Sequence, residues 1–239
     1  MSVDLLAIVA HPDDAELLCG GTLARAAGRG QRTGILDLSA GELGSSGTPA
    51  QRAQEAQAAS AILGVSERVN AGLPDGALMD NGDARRVVVG LLRHLRPRTV
   101  ITHWPRARHP DHAAAARLTR ASCFLAGLKR YPVEGEPHRP NKLLYSLTYQ
   151  EAWTRPSFVV DISDHMDQKL DAIFAYQTQF AGRTKMGDVL GGGERELREQ
   201  VRAHHAHYGS WIRKAFGEPF WTKEISSVHD VVNLEVSSF

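Results

Sequence analysis

Cysteine is scarce in this chain: Cys19 and Cys123 are the only two in 239 residues, and no CxxC spacing joins them. That excludes a disulfide framework and points to a reducing cytoplasm. Charge bias is missing too. Lys and Arg total 28 against 27 Asp and Glu, a formal net charge of +1 with no long run of one sign. A nucleic-acid footprint is therefore not expected. The apolar stretch LLAIVA (5–10) is far too short to cross a bilayer, and it follows no basic leader and precedes no small-residue cleavage site. No membrane anchor or signal peptide is expected. Repeats, low-complexity tracts and linker-like composition are also absent. So is a phosphate-cradling GxGxxG: Gly20 and Gly21 fall inside a predicted helix rather than in a turn after a strand, which gives a nucleotide cofactor no support. The rest is ordinary for a globular protein, 42% apolar and 23% charged, with a length that suits a single domain over 1–239.

The first half, 1–130, alternates strand-like and helix-like segments. Strands are predicted over 4–11, 32–40, 68–73 and 99–104, and helices over 15–30, 50–64, 83–97 and 112–127. This spacing predicts βαβ units and an α/β fold, a Rossmann-like and mainly parallel sheet with helices on both faces. The part spanning 131–239 is less regular. Strands are expected over 142–149 and 157–163, and a helix over 164–180 with Asp164 as its cap. A Gly191–Gly193 hinge then leads into a long helix. The aromatic segment around Trp211, Phe216, Phe220 and Trp221 is too apolar for a free tail and is expected to pack on the domain or on a neighbouring subunit.

In an open α/β sheet ligands bind beyond the carboxyl ends of the strands. Two such ends carry histidine and aspartate together: His11-Pro12-Asp13-Asp14 after the first strand and His109-Pro110-Asp111-His112 after the fourth. Either one alone reads as a capped helix start. Two in one sheet make coincidence a poor account. His11 and Asp14 lie three residues apart across a strand-to-helix turn, and His112 can approach from the other loop. Two imidazoles and a carboxylate with an open fourth position describe a catalytic zinc site, and iron(II) accepts the same donors. Asp13 is then free to take a proton from water. His109 can stabilise an oxyanion and protonate a leaving amine, with Asp111 orienting its ring.

The pair AHPDDAE (10–16) and HPDH (109–112) resembles the PIG-L/LmbE-like family of zinc-dependent de-N-acetylases. The resemblance implies His11, Asp14 and His112 as metal ligands, Asp13 as general base, and His109 with Asp111 as the electrostatic and acid pair, on a Rossmann-like LmbE fold. SAGELGSSGTPAQRAQEA (39–56), RHPDH (108–112), AYQTQF (175–180) and HYGSWIRKAFGEPF (207–220) resemble one branch in particular, the bacillithiol-biosynthesis deacetylases. That branch implies N-acetylglucosaminyl malate as substrate. A chitobiose-type sugar and a mycothiol precursor remain alternatives, as does a non-catalytic zinc- or sugar-binding module. The family also implies a homo-oligomer, trimer or hexamer.

Malate carries two carboxylates, and guanidinium groups grip carboxylates bidentately. Arg106 and Arg108 are assigned to that acidic end, and Arg52 to the sugar hydroxyls or malate. Pairing with Glu55 at a helix start is the other reading of Arg52. Some relatives place a mobile tyrosine two residues before the first histidine of the second motif, where this chain has Ala107. Tyr149, Tyr176 and Tyr208 are the candidates to replace it. His204, His205 and His207 look like a metal tract but sit on a polar helix, so an exposed face or a subunit contact is expected. His103 is expected in the core or behind the ligands, Trp104 as a pocket wall, and both cysteines as small buried hydrophobes.

Overall fold

β1 (Leu5–Val9) is buried at all five positions, the pattern of a parallel strand covered on both faces. β2 (Thr33–Asp37) and β4 (Thr99–Thr102) flank it in parallel, with Leu5 opposite both Thr33 and Thr99. β3 (Glu67–Asn70) extends the sheet beyond β2, and β5 (Lys142–Ser146) extends it beyond β4. β6 (Phe158–Asp161) and β7 (Gly217–Trp221) complete one seven-stranded sheet in the order β3-β2-β1-β4-β5-β7-β6. The computed structural model describes residues 2–44, 46–149, 154–180, 196–230 and 232. The expected Gly191–Gly193 hinge lies outside them.

Alternate side chains of β1 build two cores. Leu5, Ala7 and Val9 pack under α1 (Asp14–Gly28), α2 (Pro49–Leu63) and α5 (Met166–Phe174). Leu6 and Ile8 pack under α3 (Gly82–Leu95) and α4 (Pro110–Ala126) on the other face. Local chemistry sets several boundaries. Thr48 and Gln51 form a reciprocal capping box at the start of α2, whose end is Gly64 in the left-handed region. Asn81 accepts from the Ala84 N–H at the start of α3. That helix stops at Leu95, two residues before Pro97, with Arg96 left-handed at φ 48°. Among the described residues, no helix is long and apolar enough to cross a membrane.

The less regular part departs from expectation in three ways. The predicted 164–180 helix is divided into a 3-10 turn (Ser163–His165), α5 and a short α6 (Gln177–Phe180). Asp164 caps neither the turn nor α5. The Asp161 carboxylate, at the end of β6, accepts from both the N–H and the hydroxyl of Ser163. Residues 217–221 form β7, which pairs antiparallel with both β5 and β6. Gly217 and Pro219 argue against a strand on propensity, but in this pairing Phe220 is buried and Trp221 partly so. α7 (Leu197–Trp211) packs beside it.

The strand order places a switch point between β1 and β4. β1, β2 and β3 run outward in one direction, and the chain then returns to add β4 on the far side of β1. Crevices of this kind open at the carboxyl ends of the two strands flanking the switch. Both histidine-proline-aspartate turns follow those two strands.

Candidate metal centre and active site

The turn after β1 is held in an uncommon backbone shape. Asp13 sits at φ 105°, left-handed for a residue with a Cβ, a conformation that costs about 1–3 kcal/mol and persists only when its surroundings enforce it. Arg52 supplies much of the enforcement. Its guanidinium donates to the carbonyls of Gly41 (2.8 Å) and Pro12 (2.7 Å) and to the Asp13 carboxylate (3.1 Å). Gly41 must be glycine here, because a Cβ would lie 2.0 Å from the Arg52 Nη1. Arg52 is thus buried, 5% exposed, rather than at the rim with the other arginines. Nor does it pair with Glu55, which accepts instead from the N–H and hydroxyl of Thr178 at 2.7 Å each.

Asp14 opens α1 and is the hub of the site. Its Oδ2 accepts from the His11 N–H at 2.8 Å and lies 3.3 Å from His11 Nδ1; its Oδ1 lies 3.2 Å from His112 Nε2. Ligand atoms of His11, Asp14 and His112 all fall within 4.8 Å of one another, so an ion can be held among them. Burial raises the Asp14 carboxyl, but the neighbouring His112 and His103 reverse this and hold it well below the usual carboxylate range. His103 lies behind the ligands as expected: it is buried, its Nε2 accepts from the Ala10 N–H at 3.0 Å, and its ring stacks on His112 at 4.1 Å. Burial, with help from His112, pushes it down to about 4, so it is neutral.

The second ring nitrogen of His11 finds two carboxylates. Nε2 is 3.0 Å from Asp75 Oδ1 and 3.3 Å from Asp111 Oδ2. A metal-ligating histidine typically donates its other N–H to a carboxylate, which sets tautomer and ring orientation, and His11 has that support. Burial pulls its pKa down, yet Asp14, Asp75 and Asp13 outweigh burial and push it up to about 9. Carboxylates at 14, 75 and 111 thus surround His11, and the one guanidinium nearby, that of Arg52, is paired with Asp13. That surplus of negative charge, with a His-Asp-His donor set, fits a divalent cation. Asp75 escaped the reading of the sequence. Its only signal was the turn-forming GLPDG (72–76) after β3, which nothing in the linear pattern tied to His11.

The turn after β4 uses the same letters differently. The Asp111 carboxylate is 1% exposed and accepts from the N–H groups of Gly76 (2.7 Å) and Leu78 (3.2 Å). It therefore clamps the loop that carries Asp75. The expected bond from this carboxylate to the His109 ring is not among the described contacts. His109 instead caps α4, its Nδ1 accepting from the Asp111 N–H at 3.2 Å. A neutral His109 then carries its hydrogen on Nε2. Burial, reinforced by His112 and His11, lowers its pKa and favours that neutral form. His109, Arg106 and Arg108 are exposed on the loop at the mouth of the site.

Asp13 lies beside the ligands and points to Arg52. Burial first, and Asp14 second, push it up to about 7 against the pull of Arg52, suited to a general base near neutrality. Beneath it, Glu16 is bound to Arg68 at 2.6 Å, Arg68 grips Asp37 twice, at 2.7 and 2.9 Å, and the Tyr176 hydroxyl donates to Glu16 at 3.1 Å. This buried network pins the first turn of α1 to β2 and β3. Tyr176 is therefore occupied below the site, Tyr149 stacks on His204, and Tyr208 packs among His204, His207 and Trp211. Trp104 packs on Tyr145 and Trp221 at the sheet end. Cys19 and Cys123 are free, buried thiols that burial pushes up.

The chain is similar in sequence and fold to known proteins. The PIG-L family, described as GlcNAc-PI de-N-acetylase, matches residues 6–123, a span that holds both turns. A 1D-myo-inositol 2-acetamido-2-deoxy-alpha-D-glucopyranoside deacetylase of Rhodococcus erythropolis is 30% identical over 187 residues, 63% of this chain and 63% of that protein. A diacetylchitobiose deacetylase of Thermococcus kodakarensis is 29% identical over 191 residues, 74% of this chain and 70% of its own length. The crystal structure of the conserved protein TT1542 from Thermus thermophilus superposes with a TM-score of 0.85 at 42% identity, covering 95% of this chain and 97% of that one. The fold and the site define a class, an LmbE-like α/β protein with a His-Asp-His centre at its switch point. This chain belongs to the PIG-L/LmbE family of de-N-acetylases.

Proposed function

We propose that the chain hydrolyses the acetamide of an N-acetylglucosamine glycoside, with the N-acetylglucosaminyl malate of bacillithiol synthesis as its substrate. The observation that carries the reading is the convergence of His11, Asp14 and His112 beside a buried Asp13. Zinc fits the three donors, and iron(II) fits them equally. A divalent ion held there supplies Lewis acidity to the substrate carbonyl and acidifies the attacking water.

The chain's own groups do the rest. Asp13, steadied by Arg52, takes a proton as the water oxygen adds to the acetyl carbonyl carbon. His109 offers its Nε2 hydrogen to the developing oxyanion. The carbon–nitrogen bond then breaks with its electron pair on nitrogen, the proton taken up by Asp13 passes to that nitrogen to complete the free amine, and acetate leaves. Asp111 acts by holding His109's helix start and the Asp75 loop in register. Arg106 and Arg108, exposed at the mouth, suit the two carboxylates of malate.

The names of the Rhodococcus and Thermococcus relatives favour a second reading, an inositol glycoside or diacetylchitobiose as substrate. Mass-spectrometric deacetylation of the three glycosides by zinc-loaded protein separates the two. Replacing both Arg106 and Arg108 by Ala should raise KM about tenfold for the malate glycoside and leave the uncharged ones unchanged. Asp13→Ala should keep stoichiometric zinc and lose about 10²- to 10⁴-fold in kcat, whereas His11→Ala should lose the metal. Near-normal turnover by the Asp13 variant overturns the assignment, and absence of any released amine leaves a binding module. Free buried thiols suit a reducing cytoplasm. The exposed Trp211 and Ile225 suit a homo-oligomer, which light scattering would size.

A further inference from the structure

α1 is not one helix. Cys19 leaves helical geometry at φ −151°, ψ 20°, one turn after the ligand Asp14. In an unbroken helix the Gly21 N–H would donate to the Leu17 carbonyl, and the Thr22 N–H to the Leu18 carbonyl. Here the chain bends at Cys19, and side chains from three other elements meet all four groups. The Gly21 and Thr22 N–H groups donate to the Glu218 carboxylate of β7, at 2.9 and 2.7 Å. The Leu17 carbonyl accepts from Lys169 Nζ of α5 at 2.8 Å. The Leu18 carbonyl accepts from the hydroxyls of Ser146, at the end of β5, and Thr148, just beyond it, both at 3.0 Å.

The two ionised groups close the arrangement on each other. Lys169 Nζ lies 2.7 Å from Glu218 Oε1, and both residues are 0% exposed. The signs match the helix ends they meet: a carboxylate on the amino end of the second piece and an ammonium on the carboxyl end of the first. Gly21 lets the second piece approach closely, since a Cβ there would lie 2.8 Å from Ile162. The first piece, 14–18, is thereby freed from the direction of the second. It carries Asp14 and Glu16, and it follows directly on Asp13.

We infer that the buried Lys169–Glu218 pair is a positioning device: it holds α1 open at Cys19 so that the short first piece can aim Asp14 at His11 and His112 while the longer second piece packs on α5. The inference rests on the metal-site reading above. Buried ion pairs can be exchanged for apolar residues of similar volume without loss of stability, whereas removing one partner strands a charge. The pair can therefore be removed while the fold is kept. In Lys169→Met/Glu218→Leu the Gly21 and Thr22 N–H groups retain no acceptor except the Leu17 and Leu18 carbonyls, and the helix closes through Cys19.

The test compares zinc affinity of the metal-stripped full-length chain, by competition with a chromophoric chelator, alongside thermal unfolding. The double variant should bind zinc about 10- to 100-fold more weakly, as when groups supporting a ligand are lost, with Tm unchanged or higher. A purely structural pair would do the reverse, lowering Tm and leaving affinity intact; that result overturns the inference. Should the double variant fail to fold, Ser146→Ala/Thr148→Val removes the donors to Leu18 and keeps the ion pair. It should bind zinc about tenfold more weakly, and unchanged affinity there overturns the inference as well. A wild-type chain that binds no zinc overturns the metal-site reading, and this inference with it. Tight wild-type binding with an equally tight double variant overturns this inference alone.

Discussion

Two groups of histidines in this chain look alike in composition and behave in opposite ways. His204, His205 and His207 crowd into four residues of α7, the densest cluster in the sequence. Yet helical geometry spreads them: His205 is fully buried with its Nδ1 2.7 Å from the Val201 carbonyl, His204 accepts from the Tyr149 N–H, and His207 is exposed. His11, His103, His109 and His112 are scattered over a hundred residues of chain and converge within ring-stacking distance. The charge around them differs too. Carboxylates surround the scattered group and push His11 up to about 9. Burial, and then the Lys169 ammonium, push His204 down to about 4 and hold His205 well below the usual imidazole range. One region gathers carboxylates around its imidazoles and can hold a cation. The other is built to keep imidazoles neutral. Histidine density along a chain says little about ligation; shared strand ends and the sign of neighbouring charge say much more.

The sharpest break of this contrast is His112→Ala, which removes one of three donors and should abolish stoichiometric zinc, measured by atomic absorption after gel filtration. His109→Ala, one turn away, should retain the metal and lose about 10²- to 10³-fold in kcat. Zinc loss from the His109 variant would place that ring in the coordination sphere instead. Asp75→Asn and Asp111→Asn come next, each weakening zinc binding about 10- to 100-fold through His11 and the clamped loop. Wild-type affinity in both would show that His11 needs neither carboxylate.

A smaller effect is expected from the α7 group, in stability rather than chemistry. Unfolded imidazoles titrate near 6.5, and His204 does so at about 4 in the folded chain. Between those values the unfolded chain binds more protons. Stability is therefore full above pH 6.5 and falls as pH drops toward 4. Urea midpoints at pH 7 and pH 5 should differ in the wild type and differ less in His204→Gln. The smallest effect belongs to His207→Ala, which should change neither zinc affinity nor unfolding by more than about 0.5 kcal/mol. A zinc defect there would revive the tract as a ligand site.

Much of the first half was legible because its signals are local. Buried parallel strands read as unbroken apolar runs, and turns ending in proline and aspartate announce where they stop. The convergence of His11, Asp14 and His112 was legible for the same reason, since any parallel sheet brings strand ends to one edge. Arg52 was not: expected to bind the sugar hydroxyls or malate, it is buried against Gly41, Pro12 and Asp13. Asp75 was missed because its loop is drawn in by the Asp111 carboxylate, a contact between residues with no shared periodicity. β7 was missed because Gly217 and Pro219 speak against a strand until two neighbours supply the pairing.

By itself the sequence determined the alternating architecture, the two histidine turns and the donor types, because these follow from periodicity and from which residues end a strand. Only the tertiary structure decided which carboxylate touches which ring, that Asp111 grips a loop rather than His109, and that α1 is broken by a buried ion pair. Those outcomes depend on long-range contacts in a low-dielectric interior, where each buried charge takes whatever partner packing brings within reach.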